Sequence, residues 1–370
     1  IKPLQGLVVQ AGRTTLDNIV EILSSCLGRK RKEIHDALSP AGALLKSGVI
    51  ELSMFPQSSF FETMDVMDCL TEEIHLAHPD PLTYFRSRLV RPEPPRLSAA
   101  DFPHVSRDIG ILGRYLVDAL ASRRRGINIL IHGEPGTGKS EFVRMIAAKL
   151  GMDLLEVAAS RRDGTVMNAD ERFRAFRLGQ TLLEKASGKL LVFDEIEDVF
   201  RESDRGSETG SNRSQRKAWV NRLMESNPIP AFWITNNTRV IDRAFLRRFD
   251  YVLALEVPPR SVRSRVLDSY LAEIPVSDGW KRKMAEHEGL VPALVERAAQ
   301  VVHSIKDDVP QADLERSLSH VLGNTLEVMG LPREPRNCAP AGSSYRLDVL
   351  NADCDMEQVM AGLCEHREGR

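Results

Sequence analysis

The chain has 370 residues, 42% of them hydrophobic and 28% charged, with a formal net charge of -2. That length accommodates two or three ordinary globular domains, and the near-neutral balance excludes a chain-wide electrostatic grip on nucleic acid. Five scattered cysteines (Cys26, Cys69, Cys338, Cys354, Cys364) form no CxxC pair, so neither a zinc site nor a disulfide framework is expected and a reducing cytoplasm is the default.

Residues 1–95 read as a small, mainly helical domain. Leu16, Ile19, Val20, Leu23 and Leu27 have helical spacing, and Gly28 is a natural stop. A second helical pattern runs over 32–38, and 39–48 reads as a short helix that turns through Gly48 into a strand at 49–52. Helix, helix, then a helix leaving into a strand resembles a winged helix-turn-helix. The basic run Arg29 to Lys32 supports DNA contact in that reading. A four-residue run is more often a solvated loop, so a protein-docking or scaffold module is the preferred reading. Five prolines between residues 78 and 98 suggest a linker.

Residues 96–257 carry the chemistry. A helix ends at Arg123-Arg-Arg-Gly126, where the cations suit the negative end of the macrodipole. An apolar strand (Ile129, Leu130, Ile131) then enters Gly133-Glu134-Pro135-Gly136-Thr137-Gly138-Lys139-Ser140, and an amphipathic helix follows. Strand, glycine loop and helix in this order form a P-loop. The glycines let backbone N–H groups face phosphate oxygens, and the helix N-terminus adds its positive end. Lys139 is expected to reach the β- and γ-phosphates of ATP, and Ser140 to hold Mg²⁺. A second strand at 154–158, a helix at 169–185 and the run Lys189-Leu-Leu-Val-Phe-Asp194-Glu195 come next. Acids at the carboxyl end of a buried strand sit where ligands collect in open α/β sheets. Asp194 is placed to bind Mg²⁺ and Glu195 to act as a base on the attacking water. Glu197 and Asp198 read as helix N-terminal acids rather than catalysts. Residues 201–216, rich in polar residues, glycine and serine, read as a long mobile loop. A helix at 217–226 and a strand ending in Thr235-Asn236-Asn237 follow, and Asn236 is placed to align water and the γ-phosphate.

Four segments together resemble the AAA+ ATPase module: GEPGTGKS (133–140), LLVFDE (190–195), FWITNN (232–237) and IDRAFLRRFD (241–250). The resemblance covers about residues 101–330. It implies an α/β fold: a P-loop NTPase parallel sheet with helices on both faces, followed by a helical lid subdomain at 258–331. It also implies that Asp194 and Glu195 form Walker B, that Asn236 is sensor 1, and that Arg247 and Arg248 are the candidate arginine fingers acting on ATP held by a neighbouring copy. In this chain the finger stretch is two residues shorter than the common LLRPGRFD form, and which arginine dominates stays open. Such a family member would be a homo-oligomeric ring, usually a hexamer. Family unfoldases carry an aromatic-apolar-Gly pore motif after the second strand. This chain instead has Arg161 to Asn168 there, with Val166 and Met167 as the nearest peptide-gripping candidates.

Residues 332–344 read as a linker, and 345–370 echo 102–127 through Phe102/Tyr345, Leu120/Leu363, Arg124/Arg367 and Gly126/Gly369. That echo predicts the start of a second module, as in bacterial tandem AAA+ ATPases. The expected function is Mg²⁺-dependent ATP hydrolysis, with ATP and ADP as ligands, coupled to remodelling a protein partner in the cytoplasm. A DNA-associated ATPase using the first domain, and a nucleotide-dependent scaffold with little turnover, are the alternatives. No apolar run reaches the roughly 18 residues of a membrane helix, so no membrane partner is expected.

Overall fold

The computed structural model describes residues 15–52, 64–73, 81–197, 199 and 210–335. The echo at 345–370 lies outside them, as does Asp198. Two compact units emerge: Ile1–Val266 with Val291–Arg297, and Leu267–Leu290 with Ala298–Arg370.

The first unit begins with helices α1 (Leu16–Leu27), α2 (Arg31–Ala37) and α3 (Ala43–Ser47), then the antiparallel pair β1 (Ile50–Leu52) and β2 (Met64–Val66) and helix α4 (Asp68–Glu73). Thr15 caps α1 by accepting from the Asn18 N–H, and Gly28 ends it in the left-handed conformation. Ile19, Val20, Ile22 and Leu38 form a small core of their own.

Strand β3 (Leu89–Val90), helix α5 (Ser106–Ala121), β4 (Asn128–His132), α6 (Lys139–Lys149), β5 (Asp153–Val157), α7 (Ala169–Leu183), β6 (Lys189–Phe193), α8 (Gly210–Ser226), β7 (Ala231–Thr235), α9 (Arg243–Leu246) and β8 (Tyr251–Ala254) follow. They build a six-stranded sheet in the order β3-β5-β6-β7-β4-β8, parallel except for β3. The strands are apolar on both faces because helices cover both faces. Along β6, Leu191 and Phe193 enter one core while Leu190 and Val192 enter the other; along β7, Ala231 and Trp233 part from Phe232 and Ile234 in the same way.

The first of these cores is aromatic. Phe193 stacks on Trp233 at 5.3 Å, and Phe176 meets Trp233 at 4.8 Å. The indole N–H of Trp233 donates to Asn128 Oδ1 at 3.0 Å. Asn128 is buried, and its amide donates to the carbonyls of Gly126 and Met224. One fully satisfied asparagine thus ties the start of β4 to α8 and β7.

Three readings need correction. The proline-rich stretch is not a plain tether: residues 81–85 form a 3-10 turn, and β3 pairs antiparallel with β5 through Leu89↔Val157 and Val90↔Glu156. Helix α8 starts at Gly210, so the end of the expected 201–216 loop is helical; helix–coil preference in a polar stretch is weak, and the apolar face of Val220 and Met224 packed on the sheet decides it. Arg124 and Arg125 do more than complement a dipole, since they pair with Asp250 at 3.7 Å and Glu184 at 2.5 Å.

The helical N-terminal module packs on α7. The Arg174 guanidinium donates to the Gly48 carbonyl, to the carbonyls of Val49 at 3.1 Å and Asp65 at 3.0 Å, and to the Asp65 carboxylate. Arg177 donates to Glu51 at 2.5 Å, and Lys46 to Glu184 at 2.8 Å. Val49, Met67 and Cys69 join the aromatic core. Helix α3, which would be the groove-reading helix of a winged helix-turn-helix, is five residues long and faces α7.

The second unit is helical. Helix α11 (Asp278–Ala285) and helix α13 (Gln311–Val328) lie within it, together with parts of α10 (Arg260–Tyr270) and α12 (Pro292–Ile305). Leu267, Leu271, Met284, Val302, Leu318 and Leu322 are buried there. Ser277 caps α11, and Trp280 donates to Ser319 at 2.8 Å.

Replacing Trp233 by Phe should keep the ring stack and strand Asn128 Oδ1 without its donor. The expected loss is about 1–3 kcal/mol of stability, read as a lower urea midpoint at unchanged m-value; an unchanged midpoint would refute the role given to this hydrogen bond.

Candidate functional site: the P-loop and the neighbouring strand ends

Strand β7 lies between β4 and β6, so three carboxyl ends stand side by side: His132 leading into the loop, Thr235 and Phe193. Residues 133–138 wind into α6 with Gly136 and Gly138 at φ 82 and 96. Gly133, at φ 149, passes the Leu255 carbonyl so closely that a Cβ there would stand 2.1 Å from the oxygen. Thr137 is buried and donates to the Glu134 carbonyl at 3.0 Å, closing the loop on itself. Glu134 and Pro135 are exposed at its tip.

Lys139 is the first residue of α6 and is buried. Its ammonium donates to the carbonyls of Gly133 at 3.0 Å and Glu134 at 2.8 Å. Burial pulls this ammonium below the usual lysine range, while Asp194, Glu197 and Glu134 pull it back up. A phosphate entering the loop exchanges neutral carbonyls for anionic oxygens, the stronger partner for a desolvated cation.

Ser140 Oγ donates to Asp194 Oδ2 at 2.6 Å, joining the loop to the end of β6. A hydroxyl and a carboxylate oxygen at this separation are the hard-oxygen donors that Mg²⁺ takes, and the ion commonly completes its shell with water and substrate phosphate. The residues present therefore fit the ion. Asp194 also accepts from the Glu195 N–H at 2.7 Å. Glu195 is exposed and sits at φ 52, in the left-handed region. Asn236 is exposed at the end of β7.

Glu197 stands in the first turn of a helix that begins at Ile196, as its reading as a helix N-terminal acid expects, and it has a further role. It is buried and accepts from the Thr235 hydroxyl at 2.8 Å, the Asn236 N–H at 3.2 Å and the Asn236 side-chain amide at 2.7 Å. Beyond that position its carboxylate clamps the Asn236 side chain, and three converging donors offset its burial. Arg172 of α7, also buried, was missed as well: it donates to the backbone carbonyls of Asp194 and Glu195. The available signal was a charged residue inside the apolar stripe of Phe173 and Phe176.

The two candidate arginines differ. Arg248 donates to Glu225 at 2.9 Å and to the Ala244 carbonyl. Arg247 ends α9, is exposed, and has no side-chain partner among the described residues. In the 160–168 loop Ser160 bridges Val166, and Asp163 and Gly164 make the turn. Val166 is 82% exposed, whereas Met167 is 3% exposed and belongs to the aromatic core. Met167 is thus no gripping residue; alternation along the extended backbone sends neighbours to opposite sides.

With this geometry in place, comparison with known proteins agrees on the class. Residues 129–257 match the model of the ATPase family associated with various cellular activities (AAA), so this stretch is an AAA ATPase domain, and that family implies ATP hydrolase activity. An ATP-dependent zinc metalloprotease FtsH 1 of Alkaliphilus metalliredigens is 30% identical over 160 residues, 40% of this chain and 26% of that protein. An FtsH of Mesoplasma florum is 25% identical over 219 residues, 55% of this chain and 33% of that protein. A putative 26S proteasome regulatory subunit homolog of Methanocaldococcus jannaschii is 24% identical over 216 residues, 54% of this chain and 56% of that protein. The chain thus spans between about a quarter and about half of these relatives.

Gly133→Ala should weaken nucleotide binding strongly, because the added methyl and the Leu255 carbonyl cannot coexist. Titration of a fluorescent ATP analogue reads this directly, and wild-type affinity in the alanine variant would refute the close approach.

Proposed function

We propose that this chain is a ring-forming ATPase that binds ATP with Mg²⁺ at subunit interfaces, hydrolyses it, and uses the cycle to remodel a protein partner. The observation that carries the reading is the Ser140–Asp194 hydrogen bond, which joins the phosphate loop to the acid pair with Lys139 and Asn236 alongside. Backbone N–H groups of 133–140 and the Lys139 ammonium bind the phosphates. Ser140 and Asp194 would hold Mg²⁺, which would supply charge neutralisation to the phosphates. Glu195 takes a proton from the attacking water, and Asn236, oriented by Glu197, aligns that water against the γ-phosphate. Arg247 of a neighbouring copy offsets charge on the transferring phosphoryl group, as its exposed guanidinium, without a side-chain partner among the described residues, allows; Arg248 has its partners within its own chain. Hexameric closure rests on the family resemblance, and protein remodelling on the similarity to ATP-dependent proteases and a proteasome regulatory subunit homolog.

Packing of α3 on α7 supports a docked N-terminal module over a DNA-reading one. The 160–168 loop offers Val166 flanked by Arg161 and Arg162 in place of an aromatic, so threading of a polypeptide through this loop is not part of the proposal.

The test is ATPase rate per subunit against protein concentration, with Glu195→Gln as the blank. A rate that climbs and saturates is expected from sites completed by a neighbour; a concentration-independent rate would overturn the shared site. At saturation Arg247→Ala should keep ATP binding and lose about a thousandfold or more in turnover, while Arg248→Ala keeps a larger share of the rate. The reverse order would exchange the two assignments.

A further inference from the structure

We propose that Arg172 is a positioning residue that sets the direction in which Glu195 presents its carboxylate; this rests on the reading of Glu195 as the base. Arg172 is 4% exposed and stands behind the end of β6. Its Nη2 donates to the Asp194 carbonyl at 2.5 Å and its Nη1 to the Glu195 carbonyl at 3.2 Å. The guanidinium carbon lies 4.6 Å from the centroid of the Phe193 ring. One side chain therefore engages three consecutive residues: the ring of the first and the carbonyls of the next two.

The consequence is geometric. The Asp194 carbonyl belongs to the peptide plane before the Glu195 Cα, and the Glu195 carbonyl to the plane after it. Holding both planes fixes φ and ψ of Glu195, and with them the direction of its Cα–Cβ bond. That fixing is needed because Glu195 sits at φ 52, a region that a residue with a side chain keeps only where its surroundings over-determine it. A planar two-pronged donor is suited to two adjacent oxygens, and lysine, a single point charge, is not. Filling the space would require only an apolar side chain, whereas burying a guanidinium carries a desolvation cost. The charge is also felt around the site: the Glu156 carboxyl is raised mainly by burial and then by Asp194, and Arg144 and Arg172 pull it down.

Helix α7 gives this role a second side. Two residues on, Arg174 holds the N-terminal module's turn at Gly48 and Val49, and Arg177 holds Glu51. The arginine that aims the base shares its helix with those that fasten the module.

The experiment compares wild type, Arg172→Lys, Arg172→Met, Glu195→Gln and the double variant Arg172→Met/Glu195→Gln, at concentrations where the wild-type rate per subunit has saturated. Turnover and affinity for a fluorescent ATP analogue are measured for each, with melting curves to establish folding. Arg172→Met should lower kcat about 10- to 100-fold and leave nucleotide affinity unchanged, with Arg172→Lys intermediate. In the Glu195→Gln background the Arg172 change should remove no further single-turnover rate, because both act through one carboxylate. A folded Arg172→Met with wild-type kcat, or losses that add in the double variant, overturns the proposal. Glu195→Gln that turns over at the wild-type rate overturns the base assignment instead. Should Arg172→Met fail to fold, the Arg172→Lys pair carries the same comparison.

Discussion

Parallel pairing of β6, β7 and β4 is the constraint on which the rest depends. Because β7 lies between the other two, the P-loop, the acid pair and Asn236 emerge from neighbouring strand ends although far apart in sequence. A sheet of this kind is stable only with both faces covered. The aromatic core under Trp233 and Phe193, and the second core around Phe142 and Ile146, are therefore preconditions of the site. The Trp233–Asn128 hydrogen bond ties the first of these cores to the start of the strand that feeds the loop.

The polar groups around the site form linked pairs. Lys139 holds the loop carbonyls, Ser140 holds Asp194, Glu197 holds Asn236, and Arg172 holds the backbone of Asp194 and Glu195. Each buried charge has partners that offset part of its desolvation. The arrangement leaves Glu195 and Asn236 exposed while their backbones and neighbours are held. Pre-organised groups of this kind suit a reaction in which the protein positions and neutralises rather than bonds covalently to its substrate.

Helix α7 connects regions that the chain order keeps apart. Its N-terminus is capped by Asn168 at the end of the 160–168 loop, its middle carries Arg172, Arg174 and Arg177, and its end presents Glu184 to Lys46 and Arg125. The N-terminal module is thereby fastened to the helix that backs the Asp194–Glu195 turn. That fastening, with β3 in the main sheet, places residues before 96 in the same compact unit as the P-loop.

Much of this was legible from the amino acids alone. Apolar runs marked β4, β6 and β7, glycine spacing marked the loop, and the order of GEPGTGKS, LLVFDE and FWITNN indicated which strand ends would converge. These signals are local: hydrophobic period and turn chemistry act over a few residues. What only the tertiary structure decided depends on partners distant in sequence. The spacing put Glu197 at a helix N-terminus, but not that Thr235 and Asn236 donate to it. Met167 looked exposed beside Val166 until its side chain fell into the core. Arg247 and Arg248 were equivalent in the sequence, and only Glu225, carried by a different helix, told them apart. Charges and carboxylates take their roles from what surrounds them in space, and one-dimensional spacing does not encode that surrounding.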